Sequence, residues 1–274
     1  MKKLFVLICS ILLVNSAAAE KCSLVIPWGA GGSSDLAARA LQKGNNDIII
    51  DYKPGAYASV AISHLANNPG SFLLSAPVML SSQNPNKDAN IDIVRVMYGF
   101  DMSIVTGKNM TIEDLLTKKV NIGIPSVGII NHAIALELKQ HNPNIELVTT
   151  GSDAKTLPLL MNGDIDAYVS TDNIAKRWSQ GFENVRIVIK LPFGEKVNAR
   201  QFSFTNYGFH GIILYKSASE KQKENVNRCL DLAISSSEFK SEVDKLGLRV
   251  INAKGVDSAK IVNAYLDSMK KHGL

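Results

Sequence analysis

The chain has 274 residues, of which 46% are hydrophobic and 20% charged, with a formal net charge of +5. That balance excludes a disordered chain, and the scattered basic residues, without a dense cluster interleaved with aromatics, exclude a nucleic-acid partner. The length favours two domains over one.

Lys2 and Lys3 form a short basic head, residues 4–14 are apolar and uncharged, and Ala17-Ala18-Ala19 supplies small residues before Glu20. This is the layout of a cleavable signal peptide over 1–19, which predicts a periplasmic protein starting at Glu20. The apolar run is too short to span a membrane, which takes about 20 residues. Glu20-Lys21 before Cys22 lacks the small-residue box of a lipoprotein.

Short apolar strands then alternate with amphipathic helices. Strands are predicted over 24–27, 47–52, 72–75, 94–100, 103–106, 120–124, 146–150, 165–170, 185–190 and 211–215. Helices are predicted over 36–43, 60–66, 131–140 and 154–162, with a short one opened by the Thr111-to-Asp114 capping-box pattern. Alternation of this kind predicts an α/β protein with parallel sheets covered by helices. From Ser219 the pattern reads as three helices, the first with Ser219 and Gln222 at capping-box spacing and the second closed by Gly247. No Pro/Gly/Ser-rich linker divides the chain, so the two domains are expected to exchange strands. The predicted division is 20–100 plus 211–274 against 101–210.

After cleavage Cys22 and Cys229 remain. Cys229 shares a helical stripe with Val226, Leu230 and Ala233, and Cys22 opens the first strand. In an oxidising compartment they either pair or stay as buried thiols. His64, His141 and His210 show no ligand spacing with acids or cysteines, so neither a metal nor another cofactor is expected.

Two segments carry the chemistry. Pro27-Trp28-Gly29-Ala30-Gly31-Gly32-Ser33-Ser34-Asp35 ends a strand and opens a helix. Unpaired N–H groups and the helix dipole attract anions there, and glycines let a ligand approach the backbone. Ser34 or Asp35 can cap the helix, and Asp35 is alternatively a ligand contact. The glycine spacing does not match a dinucleotide fingerprint. Pro125-Ser126-Val127-Gly128-Ile129-Ile130-Asn131-His132 has the same strand–loop–helix layout. His132 reads either as a ligand contact or as a capping and packing residue, and Ser126 as a possible hydroxyl donor.

These blocks resemble the periplasmic substrate-binding proteins of tripartite tricarboxylate transporters, the Bug or TctC-like family. The resemblance continues through Lys53-Pro54-Gly55-Ala56 and through 157–166, and covers nearly the whole mature chain. It implies a type II periplasmic-binding-protein-like fold, with two doubly wound α/β domains joined by a hinge. It also implies a small organic acid held in the cleft largely by backbone N–H groups, delivery to membrane transporter subunits, and a monomer. The matching positions are Trp28, Ala30, Gly31, Gly32, Ser33 and Asp35 in the first loop. In the second they are Ser126, Gly128, Ile129, Ile130 and His132, and a third region lies at Thr171 and Asp172. Ile129 and Ile130 stand where the family often has hydroxyls, which predicts a less polar pocket, and Trp28 stands where phenylalanine is commoner, which predicts a larger ring over the ligand. A ligand-sensing module for a membrane signalling partner is the alternative reading. A secreted α/β hydrolase is disfavoured, because no Gly-x-Ser-x-Gly elbow or nucleophile–base signature is present.

Overall fold

The computed structural model describes residues 21–82, 84–107 and 110–274. The expected signal peptide lies outside the described residues. The chain first forms β1 (Cys22–Ile26), α1 (Ser33–Gly44), β2 (Ile48–Tyr52), α2 (Ser59–Asn67), β3 (Phe72–Ser75) and β4 (Ile91–Gly99). It then forms β5 (Met102–Gly107), α3 (Ile112–Thr117), β6 (Val120–Ile124), α4 (Ile130–His141), β7 (Ile145–Thr149), α5 (Asp153–Asn162), β8 (Ala167–Thr171), α6 (Asp172–Gly181) and β9 (Val185–Leu191). A hairpin of β10 (Lys196–Ala199) and β11 (Phe202–Thr205) leads into β12 (Phe209–Tyr215), α7 (Glu220–Ser235), α8 (Ser237–Leu246), β13 (Arg249–Lys254) and α9 (Gly255–Lys271).

Two sheets result. One has the order β13-β4-β12-β3-β1-β2 and the other β7-β6-β8-β5-β9. The apolar strands sit at their centres: Leu24, Val25 and Ile26 of β1 are fully buried, as are Ile122 and Ile124 of β6. Residues like these each contribute about 1.5–3 kcal/mol of burial free energy. On α1, Ala37, Ala38, Ala40 and Leu41 are buried between the sheet and helices α7 and α8, and the small alanines let the helix pack closely. Both expected capping boxes form, at Thr111–Asp114 and Ser219–Gln222, and Gly247 closes α8 in the left-handed conformation.

The sheets are mixed, where alternation alone predicted parallel ones. β1 runs parallel to β2 and β3, and β6 parallel to β7 and β8. β12 is antiparallel to β3 and β4, and β5 antiparallel to β8 and β9. The antiparallel members are the strands that arrive from or leave for the other sheet, so no helical crossover sets their direction. β10, β11 and β13 were not predicted: β10 and β13 are largely polar, and the Phe-Ser-Phe-Thr alternation of β11 runs for only four residues. β13 pairs with β4 through a register shift at which Asn252 takes φ 53°.

Helices α7 and α8 pack on α1. Helix α9 touches β4 and β13 on one side and α4 on the other. His272 and Lys271 at its end bind Glu137 of α4 at 2.8 and 3.2 Å.

The chain passes between the sheets at Phe100-Asp101 and again at residues 206–208, and these two crossings are bound to each other. The Phe100 N–H donates to the Gly208 carbonyl at 2.8 Å. Fully buried Asn206 donates through Nδ2 to the carbonyls of Phe100 and Leu191 and accepts the Gly208 N–H through Oδ1. Asp101 accepts both arms of the Arg249 guanidinium at 3.0 Å and the Phe193 N–H at 2.9 Å. Burial alone would raise the Asp101 carboxyl, but these hydrogen bonds outweigh it and the pKa is lowered.

Cys22 and Cys229 are brought into disulfide contact, with Cα atoms 6.5 Å apart, tying β1 to α7 across 207 residues of sequence. Thiol titration of the unfolded, non-reduced mature protein is expected to find neither thiol free. Reduction should then lower the unfolding free energy by about 2–5 kcal/mol, read from urea titrations. Asn206→Ala leaves two buried carbonyls without their donor and should cost at least about 2 kcal/mol in the same assay. An unchanged midpoint would show that the crossings do not depend on this side chain.

Candidate functional site

A cleft opens between the two sheets at the C-terminal ends of β1, β3, β6, β7 and β8. In open α/β sheets ligands gather at such ends, where loops and helix N-termini converge. Its walls are largely carbon, with Trp28, Pro77, Phe100, Ile129, Phe209 and Tyr265 among them. Among the described residues, no lysine or arginine lines it, and Asp153 is its one acidic residue.

Two helices point their N-termini into this space. Helix α1 begins after Gly32, and α4 after Ile129, and neither cap residue supplies a side-chain hydrogen bond. The first N–H groups of a helix have no partner within it and are available to an anion. Gly32, Ser33, Ser126, Ile129 and Ile130 all line the cleft, as does Trp28. The Ser126 hydroxyl donates to the Val127 carbonyl at 3.1 Å. Thr171 reaches the cleft from the end of β8, and its buried Oγ1 has no hydrogen-bond partner.

Other predicted residues hold the loops in place and do not line the cleft. Asp35 is buried and turned away. Its Oδ2 accepts the Gly31 N–H at 2.8 Å, and its Oδ1 accepts from Arg39 Nε at 2.8 Å and from the Tyr52 hydroxyl. Burial pushes this carboxyl up, but Tyr52, Gly31 and Arg39 together bring it below the ordinary value. Gly31, at φ +89°, supplies the left-handed turn that lets its N–H reach Asp35. Ala30 is exposed beside it. His132 is likewise a loop support, its Nδ1 accepting the Gly128 N–H at 3.2 Å. Burial, then the nearby His272, lowers its pKa, which favours the neutral ring that can accept this N–H. Gly128 takes φ +74° against the Ser81 side chain, where a β-carbon would collide. Asp172 accepts from Ser103 at 2.7 Å and pairs with Lys176 at 2.6 Å.

Several cleft residues escaped sequence reasoning. The loop 150–153 joins β7 to α5 and brings Gly151, Ser152 and Asp153 to the cleft. It is a third strand–turn–helix junction, and Ser152, which caps α5 at the Lys155 N–H, was a visible signal for it. The carboxylate of Asp153 lies deep, although the residue as a whole is half-buried. Its Oδ1 accepts from the Tyr168 hydroxyl at 2.8 Å. A β-carbon placed on Gly32 would lie 3.5 Å from its Oδ2, so the carboxylate reaches across the cleft to the N-terminus of α1. Burial raises its pKa, partly offset by the Tyr168 hydroxyl, the Ser33 backbone N–H and the nearby Ser170 hydroxyl. The anion-attracting end of α1 thus already faces a carboxylate.

His210 opens β12 and also lines the cleft. Its Nε2 lies 2.7 Å from Ser34 Oγ, its Nδ1 is buried without a partner, and its ring meets Phe100 edge-on at 4.2 Å. A serine beside a histidine is the contact that the sequence did not reveal. Chemically it is a weak base: burial lowers the His210 pKa to about 3. No carboxylate orients the other ring nitrogen, which a hydrolytic triad requires.

No family model matches the sequence, and no curated protein matches it at the level of sequence. Solved structures do match. The structure of the periplasmic binding protein BugD is 16% identical, with a TM-score of 0.75 over 93% of this chain and 98% of that one. MatC from Rhodopseudomonas palustris with bound malate is 15% identical, with a TM-score of 0.73 over 91% and 98%. A second R. palustris protein, with adipate, is 15% identical, with a TM-score of 0.76 over 92% and 96%.

Asp153→Asn should raise the melting temperature, because it replaces a desolvated carboxyl with a neutral isostere. A raised folded-state pKa means that the native state holds its proton more tightly than the unfolded chain. Stability is therefore lost as pH climbs from the ordinary value of 3.8 upward through the folded value. The gap between variant and wild type should widen over that rise in thermal melts, and a gap independent of pH would contradict it. With two mixed sheets, exchanged strands and a cleft between them, the chain has the type II periplasmic-binding-protein-like fold of the structures it matches.

Proposed function

We propose that this chain is a periplasmic solute-binding protein that captures a small carboxylate-bearing organic acid and passes it to a tripartite tricarboxylate-type transporter. The observation that carries the reading is the uncapped N-terminus of α4, opening into an apolar cleft beside the unpartnered Thr171 hydroxyl. An anion placed there meets the N–H groups at Ile130 and Asn131 and the positive end of the helix dipole. Buried polar atoms without partners are rare in native proteins, and a ligand supplies the missing ones. The fold likeness supports the same reading, since two of the similar structures hold malate and adipate.

On this reading, 20–100 with 211–274 forms one domain and 101–210 the other, and the crossings at Phe100-Asp101 and 206–208 are the hinge. The signal peptide is removed before Glu20, and the mature protein is a monomer. Ser34 and His210 line the binding cleft without turning ligand over, because a histidine with a pKa of about 3 cannot take a serine proton at neutral pH.

The test is a thermal-shift screen of the mature chain, refolded to strip bound ligand, against small carboxylic acids and their amides. An acid that raises the melting temperature where its amide does not supports the reading by linkage. Silence from every acid overturns it. Thr171→Val removes the hydroxyl without changing shape and should weaken the responding acid about tenfold with unchanged stability. Ester turnover that Ser34→Ala abolishes would favour an enzyme instead.

A further inference from the structure

We propose that the cleft is built for a zwitterion: a small acid whose carboxylate meets the α4 N-terminus and whose protonated amine meets the Asp153 carboxylate. The acid end of this inference rests on the function proposed above; the amine end does not.

Asp153 is placed where a protein does not normally put a bare charge. Buried carboxylates are ordinarily paired with a cation, because desolvation without a countercharge is costly. Here the hydrogen-bond partners are neutral: the Tyr168 hydroxyl on Oδ1, with the Ser33 N–H and the Ser170 hydroxyl nearby. Among the described residues no lysine or arginine lines the cleft. A carboxylate offers about four acceptor sites, so the Tyr168, Ser33 and Ser170 donors leave room for one more, from an ammonium group.

The surroundings suit that group. Trp28, Phe100, Phe209 and Tyr265 line the same cleft, and aromatic rings attract cations through their negative faces. The second helix N-terminus suits an anion. The uncapped start of α4 opens into the same cleft, which Thr171 also lines with its partnerless Oγ1. A simple dicarboxylate would instead place a second negative charge in the space that Asp153 already holds, with no basic side chain lining the cleft to offset it. The α1 end, which in isolation attracts an anion, is thereby reversed in preference.

The experiment is calorimetric titration of the mature chain, refolded to strip bound ligand, with L-phenylalanine, L-leucine, β-alanine and γ-aminobutyrate. Each is compared with its des-amino acid, namely hydrocinnamate, isocaproate, propionate and butyrate, and with its amide. The best amino acid is expected to bind at least about tenfold more tightly than its des-amino partner, the scale of a hydrogen bond to a charged group. Asp153→Asn should erase that difference while melting as a native protein. A merely structural Asp153 would move the melting temperature and leave the preference in place, which would overturn the inference. Des-amino acids binding as tightly as their amino partners would also overturn it, yet leave carboxylate capture standing. Amides binding as well as the amino acids, in an Asp153-dependent way, would uphold the amine site and remove the carboxylate reading. Binding by no probe would remove both. Should the variant fail to fold, the wild-type comparison of amino with des-amino acids decides alone.

Discussion

The arrangement of this protein depends on how two backbone crossings are tied together. Phe100-Asp101 and residues 206–208 are the places where the chain leaves one sheet for the other. Asn206 uses its donors on the carbonyls of Phe100 and Leu191 and its oxygen on the Gly208 N–H. Buried carbonyls and N–H groups away from a ladder need partners, and one amide side chain supplies them for both crossings at once. Arg249 adds a second tie by gripping Asp101 from β13. The cleft is a consequence: Phe100 and Phe209 line it because they flank these crossings.

Around that floor, the cleft divides its polar groups into supports and unmet partners. Asp35, His132 and Asp172 look like binding residues by type and position, yet each spends its polar atoms inside the protein. Asp35 holds the Gly31 N–H, His132 holds the Gly128 N–H, and Asp172 bridges Ser103 and Lys176. They shape loops so that backbone groups face the cleft. The atoms left without partners, Thr171 Oγ1 and His210 Nδ1, belong to residues with nothing distinctive in their local sequence. All five residues are buried, and the presence or absence of a hydrogen-bond partner separates the two groups.

The same distinction governs the chemistry available. Ser34 and His210 form a contact that in another environment would activate a nucleophile. Here full burial keeps the imidazole neutral, so the pair presents polarity without basicity. Asp153 is the reverse case. Burial raises its carboxyl, the groups that offset this are neutral donors, and among the described residues no basic side chain lines the cleft.

The amino-acid sequence by itself determined the strand–helix alternation, the glycine turn at Gly31, both capping boxes and the two loops that end β1 and β6. These follow from short-range rules: apolar periodicity, turn residues with positive φ, and side chains that cap the helix three residues on. The loop at Gly151-Ser152-Asp153 was legible by the same rules, as a third junction with a capping serine. Only the tertiary structure decided that β4, β5 and β12 run antiparallel to their neighbours and that β13 is a strand. It also decided that α9 touches α4 as well as β4 and β13, that Asp35 and His132 turn inward, and that Asp153 and His210 meet the first loop. Several of those outcomes join residues more than a hundred positions apart, as in Ser34 with His210. Their partners are set by which strand ends lie side by side once the chain has crossed twice, a long-range geometry that local periodicity does not encode.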